Sequence, residues 1–347
     1  MLKKVLWWGR FDEDYSRNRI LKSAFNAIGY DVIPFIPLIS GLGFIEALFR
    51  LKIIPDLIFV PCFRQRDIKS AYKWSRKINK PLIIDPLISQ WDKQINERNK
   101  LPFNSSKAKL LKNKEKYLLN LADLIFADTQ MHANFFHLEF SIPKPKLSVV
   151  YVGAEEKIFN YKKINIEEKT KVLFYGSFIK LHGAEVIIKA AKLLENENIE
   201  WNLIGQGPYL EKCKKLAKGY EKIKFFSAIP YKNLPNHIFK SDIMLGIFGS
   251  SRKAENVIPN KVFQSLACGR LVITRKSNAY PKKIKSNNGI IFINPNDPNE
   301  LAKKVLFLSQ NKKEIISYGN QARKIFMHFF SQRKINLQLK KSIKKII

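Results

Sequence analysis

Three segments in the second half of the chain combine an apolar run with glycines that could hold a phosphate group. They are Val172–Gly183, Asn202–Pro208 and Ile243–Ser250. A glycine loop between a strand and a helix lets a ligand approach the backbone, and its N–H groups can bind a diphosphate. A simple tight turn is the stronger explanation of the first two segments when each is taken alone. Their chemical meaning therefore depends on the segments that accompany them.

A fourth segment, Val257–Thr274, supplies polar side chains near the start of a predicted helix. Pro259 precedes this helix, and Asn260, Lys261 and Gln264 follow at once. The N-terminus of a helix carries a partial positive charge, so these positions suit contacts to phosphate and to ribose hydroxyls. A solvated helix start is the alternative explanation for Lys261 and Gln264.

Strands and helices alternate along the whole chain, which predicts parallel strands joined by helical crossovers. The polar stretch Asn160–Thr170 separates two such series and is predicted to be a linker. The predicted strands are Val5–Trp8, Asp31–Pro34, Leu57–Val60, Leu82–Ile84, Leu124–Ala127 and Leu147–Tyr151 before it, and Lys171–Tyr175, Trp201–Ile204, Lys224–Phe226, Ile243–Gly246, Leu271–Thr274 and Ile290–Ile293 after it.

We therefore expect an α/β fold of two Rossmann-like, doubly wound domains that face each other across a cleft. Residues 1–165 form the first predicted domain and residues 166–320 the second. Residues 321–347, rich in Lys and Arg and free of Asp and Glu, are predicted to form a basic helix that packs back toward the first domain. Ligands in such sheets bind beyond the C-terminal ends of the strands.

The chain is strongly basic, with 62 Lys and Arg against 29 Asp and Glu and a net charge of +33. Nucleic acid is the first partner that this balance suggests. The lysines are scattered, however, and no recognised nucleic-acid-binding motif accompanies them. We therefore favour anionic lipid headgroups and phosphorylated ligands as partners, and expect no nucleic acid.

The cysteines and the glycine motifs exclude several other classes of protein. Cys62, Cys213 and Cys268 lack the spacing of metal ligands, which argues against a metal site and a disulfide framework and favours a reducing compartment. The chain has no Walker lysine loop. Gly205–Pro208 lacks the third glycine of a dinucleotide-binding motif, so a nicotinamide-dependent dehydrogenase is disfavoured.

In this order and spacing, the four segments resemble the family-4 type (group 1) of GT-B glycosyltransferases. The resemblance is strongest over residues 172–274 and extends to Gly289–Pro298. In the first half, Ile83–Ser89, Ala122–Thr129 and Val149–Ala154 are also similar. The resemblance implies transfer of a sugar from a nucleotide sugar with retained anomeric configuration, without a metal ion or other cofactor. It places the nucleotide on the second domain and a glycan or lipid-linked acceptor on the first.

The chain departs from these enzymes at several charged positions. The related enzymes commonly have an arginine after the loop glycine and a lysine before the second glycine, both directed at the donor diphosphate. Ser177 and His182 stand there in this sequence. They also commonly have two glutamates eight positions apart, where this chain has Asn256, next to Glu255, and Gln264. Gln264 keeps a carbonyl acceptor for a ribose hydroxyl but lacks charge assistance.

The resemblance and the loop positions together yield a set of predicted site residues. Lys261 is predicted to stabilise the departing diphosphate, with Arg252 or Lys253 beside it. Asp85 is the first candidate for catalysis on the acceptor side, and Asp92 and Arg98 could position the acceptor, with a solvated loop as an equal alternative. The predicted donor-binding residues are Gly9, Arg10, Gly176, Ser177, Lys180, His182, Gly183, Gly205, Gly207, Arg252, Lys253, Glu255, Asn256, Asn260 and Gln264.

The altered charged positions leave open a second function. The chain could be a catalytically silent scaffold that binds a partner glycosyltransferase or a lipid carrier.

The segment Leu42–Ile54 mixes apolar residues with Arg50 and Lys52. Together with the basic tail it could rest on an anionic leaflet; a buried helix is the alternative. The resemblance implies synthesis of a surface polysaccharide or other glycoconjugate. The cysteines favour a cytoplasmic location, and the apolar segment with the basic tail predicts peripheral contact with the inner face of the cell membrane.

Overall fold

A computed structural model describes residues 2–98 and 100–347 of the chain. It divides into two compact units: unit 1 runs to Gly153 and includes Gln332–Ile347, and unit 2 is Ala154–Ser331. The predicted boundary between residues 165 and 166, and the predicted linker Asn160–Thr170, fall inside unit 2.

Unit 1 contains a six-stranded parallel sheet with the order β2-β1-β3-β4-β5-β6. Because β1 pairs with both β2 and β3, the strand order reverses between β1 and β3. The strands are β1 Lys3–Trp8, β2 Tyr30–Phe35, β3 Leu57–Val60, β4 Leu82–Ile84, β5 Leu124–Ala127 and β6 Leu147–Val149.

The helices of unit 1 cover both faces of this sheet. The strands β3, β4 and β5 are therefore apolar and buried along their whole length, as is typical of parallel sheets. The helices are α1 Ser16–Ala27, α2 Gly43–Arg50, α3 Ile68–Lys77, α4 Gln90–Asp92, α5 Ser106–Asn120, α6 Gln130–Phe140 and the C-terminal Gln332–Ile343, with 3₁₀ turns at Gln65–Asp67 and Lys144–Lys146 and a π-helical turn at Lys93–Glu97.

Unit 2 contains a second six-stranded parallel sheet, with the order β12-β11-β10-β7-β8-β9. Its strand order reverses between β7 and β10, which are neighbours although three strands apart in sequence. The strands are β7 Thr170–Tyr175, β8 Ile199–Ile204, β9 Ile223–Phe226, β10 Ile243–Leu245, β11 Val272–Arg275 and β12 Ile290–Ile293.

The helices of unit 2 again lie between successive strands and after the last one. They are α7 Ala184–Leu193, α8 Leu210–Leu216, α9 Leu234–Phe239, α10 Arg252–Asn256, α11 Asn260–Ala267, α12 Pro298–Gln310 and α13 Lys312–Ile325, with 3₁₀ turns at Lys180–His182 and Tyr231–Asn233 and a π-helical turn at Phe326–Phe330. Two Rossmann-like units in one chain are the architecture that the alternating pattern predicts.

The C-terminal region, predicted as one helix over residues 321–347, is two helical segments. Helix α13 and the π-helical turn belong to unit 2, and extended backbone at Ser331 ends them. The C-terminal helix Gln332–Ile343, α14, then packs on unit 1, where Ile335, Leu339 and Ile343 join the core beside α1. Of the helices described in residues 2–98 and 100–347, none has the length and apolar character needed to cross a bilayer.

Candidate functional site

The switch point of unit 2 brings together the loops that the sequence singled out. The loop from Gly176 to Gly183 follows β7, and the loop from Gly246 to Ser251 follows β10, so both lie at the C-terminal edge where the strand order reverses. Open α/β sheets bind their ligands at this kind of edge. Helix α11, which carries Lys261 and Gln264, begins beside the same loops.

Gly205 and Gly207 allow two of these loops to touch. A side chain at Gly205 would place its Cβ 2.0 Å from the Gly176 carbonyl oxygen, and one at Gly207 would lie 2.6 Å from the Phe178 nitrogen. Both glycines also have positive φ angles, 140° and 151°. The Phe178 N–H donates to the Gln206 carbonyl at 2.9 Å, which holds the loops together. Close contact between the loops and the positive φ angles therefore require glycine at both positions, independently of any bound donor.

Gly183 connects the first loop to the loop after β10 in the same way. A Cβ at Gly183 would lie 2.8 Å from the Gly249 nitrogen. The Phe248 N–H donates to the His182 carbonyl at 3.0 Å, and the Gly249 N–H donates to the Leu181 carbonyl at 3.2 Å. The loops after β7, β8 and β10 therefore form one backbone layer joined by hydrogen bonds and close contacts.

Lys261 is the buried lysine of this layer. Its residue is 6% exposed, and its Nζ lies 3.9 Å from the centroid of the Phe174 ring. Within residues 2–98 and 100–347, this Nζ has no hydrogen-bond partner. It lies 3.1 Å from the point where a Cβ on Gly176 would stand, so the absence of a side chain at Gly176 keeps the ammonium accessible to the loop. Burial lowers the pKa of Lys261 well below its ordinary value.

His182 lies beside Lys261 as a neutral imidazole. Burial, together with the nearby Lys261 charge, lowers the pKa of His182 well below its ordinary value. Its Nδ1 contacts the Ser177 carbonyl oxygen, which can only accept, so Nδ1 carries the proton. Nε2 is then an acceptor. At the position where related enzymes have a lysine, this chain therefore presents no positive charge near neutral pH.

Gln264 is buried and bonded through both ends of its amide. The Tyr175 hydroxyl donates to Oε1 at 2.8 Å, and Nε2 donates to the Tyr231 hydroxyl at 3.4 Å. Tyr231 in turn donates to Glu155 at 2.7 Å. A glutamate at 264 could not donate to Tyr231, so the amide fits this chain of hydrogen bonds where a carboxylate would not.

Helix α10 carries the remaining predicted residues of unit 2. Glu255 is half-exposed and forms an ion pair with Arg275 at 3.3 Å, and Asn256 is buried. Arg275 also donates to the Gly249 carbonyl at 2.8 Å, so it fixes the loop on which α10 begins. Of the other predicted donor residues of unit 2, Ser177, Lys180 and Arg252 are exposed, and Lys253 and Asn260 are half-buried.

Asp85, the predicted acceptor-side residue, lies in a buried ion pair in unit 1. Asp85 and Arg17 are both fully buried, and Arg17 Nε donates to Asp85 Oδ2 at 2.8 Å. Arg17 also donates to the Val150 and Tyr151 carbonyls, at 2.7 and 2.8 Å. Burial raises the pKa of Asp85 in spite of this partner. The pair joins α1 to the ends of β4 and β6, and the acceptor-side role of Asp85 stays a prediction.

The other predicted residues of unit 1 are dispersed around its switch point. Gly9 ends β1 with φ 135°, and exposed Arg10 donates to the Leu38 carbonyl at 3.0 Å. Asp92 is buried and accepts from Asn96 at 2.7 Å, whereas Arg98 is exposed. Arg10 is the one of these four that lines a large cavity in unit 1.

Four cations of that cavity were not predicted as site residues: Arg64, Arg66, Lys69 and Lys114. The first three follow β3 directly, where unit 1 has its switch point. The signal was present, because the segment after Leu57–Val60 is rich in arginine and stands at a predicted strand end. Lys114 is distant in sequence and carried no such signal. Across residues 2–98 and 100–347, no group of three or more His, Cys, Asp or Glu is placed to hold a metal ion.

A sequence model described as glycosyl transferases group 1 matches residues 156–325, nearly the whole of unit 2. Residues 156–325 thus form a group 1 glycosyltransferase domain. The match includes every loop of the layer described above and both Lys261 and Gln264.

Individual relatives agree with this family. The uncharacterized glycosyltransferase MJ1069 of Methanocaldococcus jannaschii is 26% identical over 243 residues, which is 67% of this chain and 61% of that protein. WcaI of Escherichia coli K12, a glycosyl transferase named for colanic acid biosynthesis, is 28% identical over 33% of this chain and 29% of its own length. The chain thus spans less than two thirds of either relative.

A solved structure shares the fold of the whole chain. Anabaena Alr3699/HepE in complex with UDP superposes with a TM-score of 0.73 and covers 99% of this chain and 100% of its own, at 14% identity. The same protein has been solved with UDP-glucose, also at a TM-score of 0.73. At this identity the likeness establishes the fold, which is the GT-B fold of two Rossmann-like domains.

Proposed function

We propose that this chain transfers a sugar from a nucleotide-sugar donor to a glycan or lipid-linked acceptor, with retained anomeric configuration and without a metal ion. The observation that carries the proposal is Lys261: its buried Nζ has no hydrogen-bond partner among the described residues and lies beside a glycine, at the switch point of a group 1 domain. Burial without a partner disfavours the charged form of the lysine, and an anionic ligand at Gly176 would stabilise that form.

The proposed reaction needs positive charge at the leaving group. The bond from the sugar C1 to the diphosphate oxygen breaks, a bond from C1 to the acceptor hydroxyl oxygen forms, and the hydroxyl proton is released. Negative charge develops on the departing nucleoside diphosphate. Lys261 and the N–H groups of the loop layer would stabilise it, because fixed donors in a desolvated site need no reorganisation.

Lys261→Ala tests this assignment, with Lys218→Ala as the control because Lys218 is an exposed lysine of the same unit. We expect kcat/KM for the donor to fall roughly 100-fold in Lys261→Ala, as when one charged donor at a developing anion is lost. The control should keep the value of the natural chain. An unchanged kcat/KM in Lys261→Ala would refute the role of this residue.

One binding experiment can identify the nucleobase of the donor and test whether binding needs a metal ion. Thermal unfolding would be followed with UDP, GDP, ADP, CMP and their sugar conjugates, with and without EDTA. A ligand that binds the native state raises Tm by mass action. We expect one nucleotide to raise Tm, and EDTA to leave that shift unchanged. Loss of the shift in EDTA would refute metal independence.

A catalytically silent scaffold is the second candidate, and neutral His182 favours it. Where a lysine charge is usual, this chain has an imidazole committed to Ser177, so less positive charge surrounds a diphosphate. A scaffold would bind the nucleotide but would neither release nor transfer its sugar. Product analysis with the nucleotide sugar that raises Tm separates the two candidates.

We further propose a cytoplasmic enzyme of surface polysaccharide or glycoconjugate synthesis that rests on the inner face of the membrane. WcaI, by its name, supports the polysaccharide role. The apolar segment 36–54 supports membrane contact, because large side chains there are exposed beside Arg50 and Lys52. The exposed ones are Ile36, Leu38, Ile39, Leu42, Ile45, Leu48, Phe49 and Ile54.

Flotation with liposomes tests the membrane contact. We expect the chain to float with vesicles that contain phosphatidylglycerol and less with pure phosphatidylcholine, since lysines and arginines near the surface bind anionic headgroups. Phe49→Ser, at a side chain that is 81% exposed, should reduce flotation without affecting folding. Flotation that is independent of both lipid charge and Phe49 would contradict the proposal.

A further inference from the structure

A cavity of about 1360 Å³ opens at the switch point of unit 1. It lies at the C-terminal ends of β1 and β3, the edge at which doubly wound sheets bind ligands. Its volume exceeds the roughly 300–1,000 Å³ of common small-molecule sites. The cations that line it are Arg10, Arg64, Arg66, Lys69 and Lys114.

The carboxylates near this cavity are already bonded. Glu115, which lines it, is buried and accepts from the Ser89 hydroxyl and from the Gln90 and Trp91 N–H groups, each at 2.8 Å. Asp67 is buried and pairs with Arg64 at 2.6 Å. Burial raises the pKa values of both carboxyl groups, and their oxygens are directed at these protein donors.

The remaining cations have no such compensation. Within residues 2–98 and 100–347, no ion pair joins Arg66, Lys69 or Lys114 to a carboxylate. They come from the 3₁₀ turn after β3, from α3 and from α5, so three elements direct positive charge to one cavity. A single carboxylate could pair with one or two of them, whereas the several oxygens of a phosphate or diphosphate suit the whole group.

One edge of the cavity is apolar. Ile39 lines the cavity and is 57% exposed, and it belongs to the apolar segment 36–54. A phosphate group bound among the cations would therefore have exposed hydrocarbon surface next to it. This combination is complementary to an amphiphile with an anionic head and an apolar tail.

We propose that the unit 1 cavity binds the phosphate or diphosphate head of a lipid-linked acceptor, whose hydrocarbon chain leaves along segment 36–54. The inference rests on the proposed function, because it names the acceptor class of the transfer reaction. It adds Arg66, Lys69 and Lys114 as head-group ligands and Ile39 as a contact of the chain.

Calorimetric titration of the full chain with inorganic pyrophosphate tests the head-group site. It is carried out in the Lys261→Ala background, so that the candidate donor site contributes little. We expect Lys69→Gln/Lys114→Gln to weaken binding about tenfold for each lysine removed. The control is Lys77→Gln/Lys109→Gln, because these exposed lysines lie on the same two helices but outside the cavity. Equal affinity in the two double variants would overturn the proposal.

A second titration separates a lipid phosphate from a free one. Farnesyl diphosphate should bind at least tenfold more tightly than pyrophosphate, and farnesol should bind poorly. Ile39→Ser should remove most of the gain for farnesyl diphosphate and leave pyrophosphate unchanged. If the two diphosphates bind equally and Ile39→Ser has no effect, the site takes a soluble phosphate and the lipid assignment is wrong.

Failure of the amphiphile site in unit 1 can be distinguished from failure of the proposed sugar transfer. Nucleotide-induced Tm shifts in Lys69→Gln/Lys114→Gln, with position 261 unchanged, report the candidate donor site. A chain that binds farnesyl diphosphate but no nucleotide would refute sugar transfer and keep the amphiphile site. A chain that binds nucleotide but distinguishes none of the lysine variants would refute the amphiphile site alone.

Discussion

The switch points of the two units present positive charge in opposite ways. In unit 2 one ammonium, Lys261, is 6% exposed and lies under a layer of loops joined by backbone hydrogen bonds. In unit 1 the cations Arg66, Lys69 and Lys114 are exposed on the walls of an open cavity. The same topology thus supports a desolvated site in one unit and a solvated one in the other.

The difference predicts how each site responds to its surroundings. Charges exposed to solvent are screened within about 10 Å at 0.1 M salt, whereas buried charges are screened much less. Binding at the unit 1 cavity should therefore depend on ionic strength, and binding at Lys261 should depend on proton uptake. The desolvated site at Lys261 suits the diphosphate, which is common to all nucleoside-diphosphate donors, and the open cavity of unit 1 suits a bulkier ligand.

The largest expected effect comes from breaking the buried ion pair of unit 1. Asp85→Ala leaves the Arg17 guanidinium buried without its carboxylate, which should lower the free energy of unfolding by roughly 3–5 kcal/mol. Hydrogen exchange resolved by mass spectrometry would locate the loss in peptides of unit 1. Arg17→Met/Asp85→Leu should recover most of it, because no charge remains buried. If Asp85→Ala removes activity and leaves exchange unchanged, the residue acts on the acceptor after all.

A comparable but smaller loss is expected from the loop layer of unit 2. Gly205→Ala places a Cβ 2.0 Å from the Gly176 oxygen at a φ of 140°, so we expect a loss of about 2–4 kcal/mol. Gly219→Ala is the control, since its φ is also positive, 88°, and no atom lies within 4 Å of the added Cβ. Urea unfolding of the two variants separates steric overlap from backbone strain. Equal losses would mean that contact between the loops is unimportant.

Much of the fold could be predicted because each strand carries its own signal. Leu57–Val60, Leu82–Ile84, Leu124–Ala127 and Ile290–Ile293 have the predicted bounds, since short buried apolar runs need no partner to be recognised. The single tail helix was not found as predicted, because the break at Ser331 follows from packing of α14 on unit 1. Local composition does not encode that distant surface.

The candidate site was less predictable, because its chemistry arises from contacts between distant residues. The positions of Lys261 and Gln264 near a helix start followed from the sequence, but the neutral state of His182 depends on burial and on Lys261. Asp85 was recognised as a polar residue after a strand, and its partner Arg17 was not. Spacing reveals which residues reach a strand end, and the structure is needed to show which of them are already paired.

Lys261→Met tests whether the buried lysine of unit 2 makes the stability of the chain depend on pH. Because the pKa of Lys261 is lower in the native state than in the unfolded chain, the unfolded chain binds more protons between these two pKa values. Stability of the natural chain should therefore rise with pH through that range. Lys261→Met should lack this rise and be the more stable variant at the acidic end.

The same variant should lose affinity for the nucleotide by about 1.5–3 kcal/mol near neutral pH, the value of a hydrogen bond to a charged group. A bound diphosphate favours the charged lysine, so binding takes up a proton and weakens as pH rises in the natural chain. Calorimetry in buffers of different ionisation enthalpy measures that proton. Identical proton uptake in Lys261→Met would assign it to another group.

The smallest effect is expected at Gln264, where a substitution can replace a hydrogen-bonding amide by a charged carboxylate. Gln264→Glu removes the donor to Tyr231 and buries a carboxylate, so we expect a loss of about 1 kcal/mol in unfolding free energy. The same change gives a ribose hydroxyl a charged acceptor, which should tighten nucleotide binding several-fold.

Tyr231→Phe is the control for Gln264→Glu, because it removes the same hydrogen bond and adds no charge. It should lose at least as much stability, because it also removes the hydrogen bond from Tyr231 to Glu155, and it should show no gain in nucleotide affinity in paired unfolding and calorimetric titrations. If both variants bind the nucleotide equally, Gln264 does not reach the ribose, and the amide serves the hydrogen bonds of Tyr175 and Tyr231 alone. Unit 2 would then depend on Lys261 and the loop backbone for its selectivity, as the comparison with unit 1 implies.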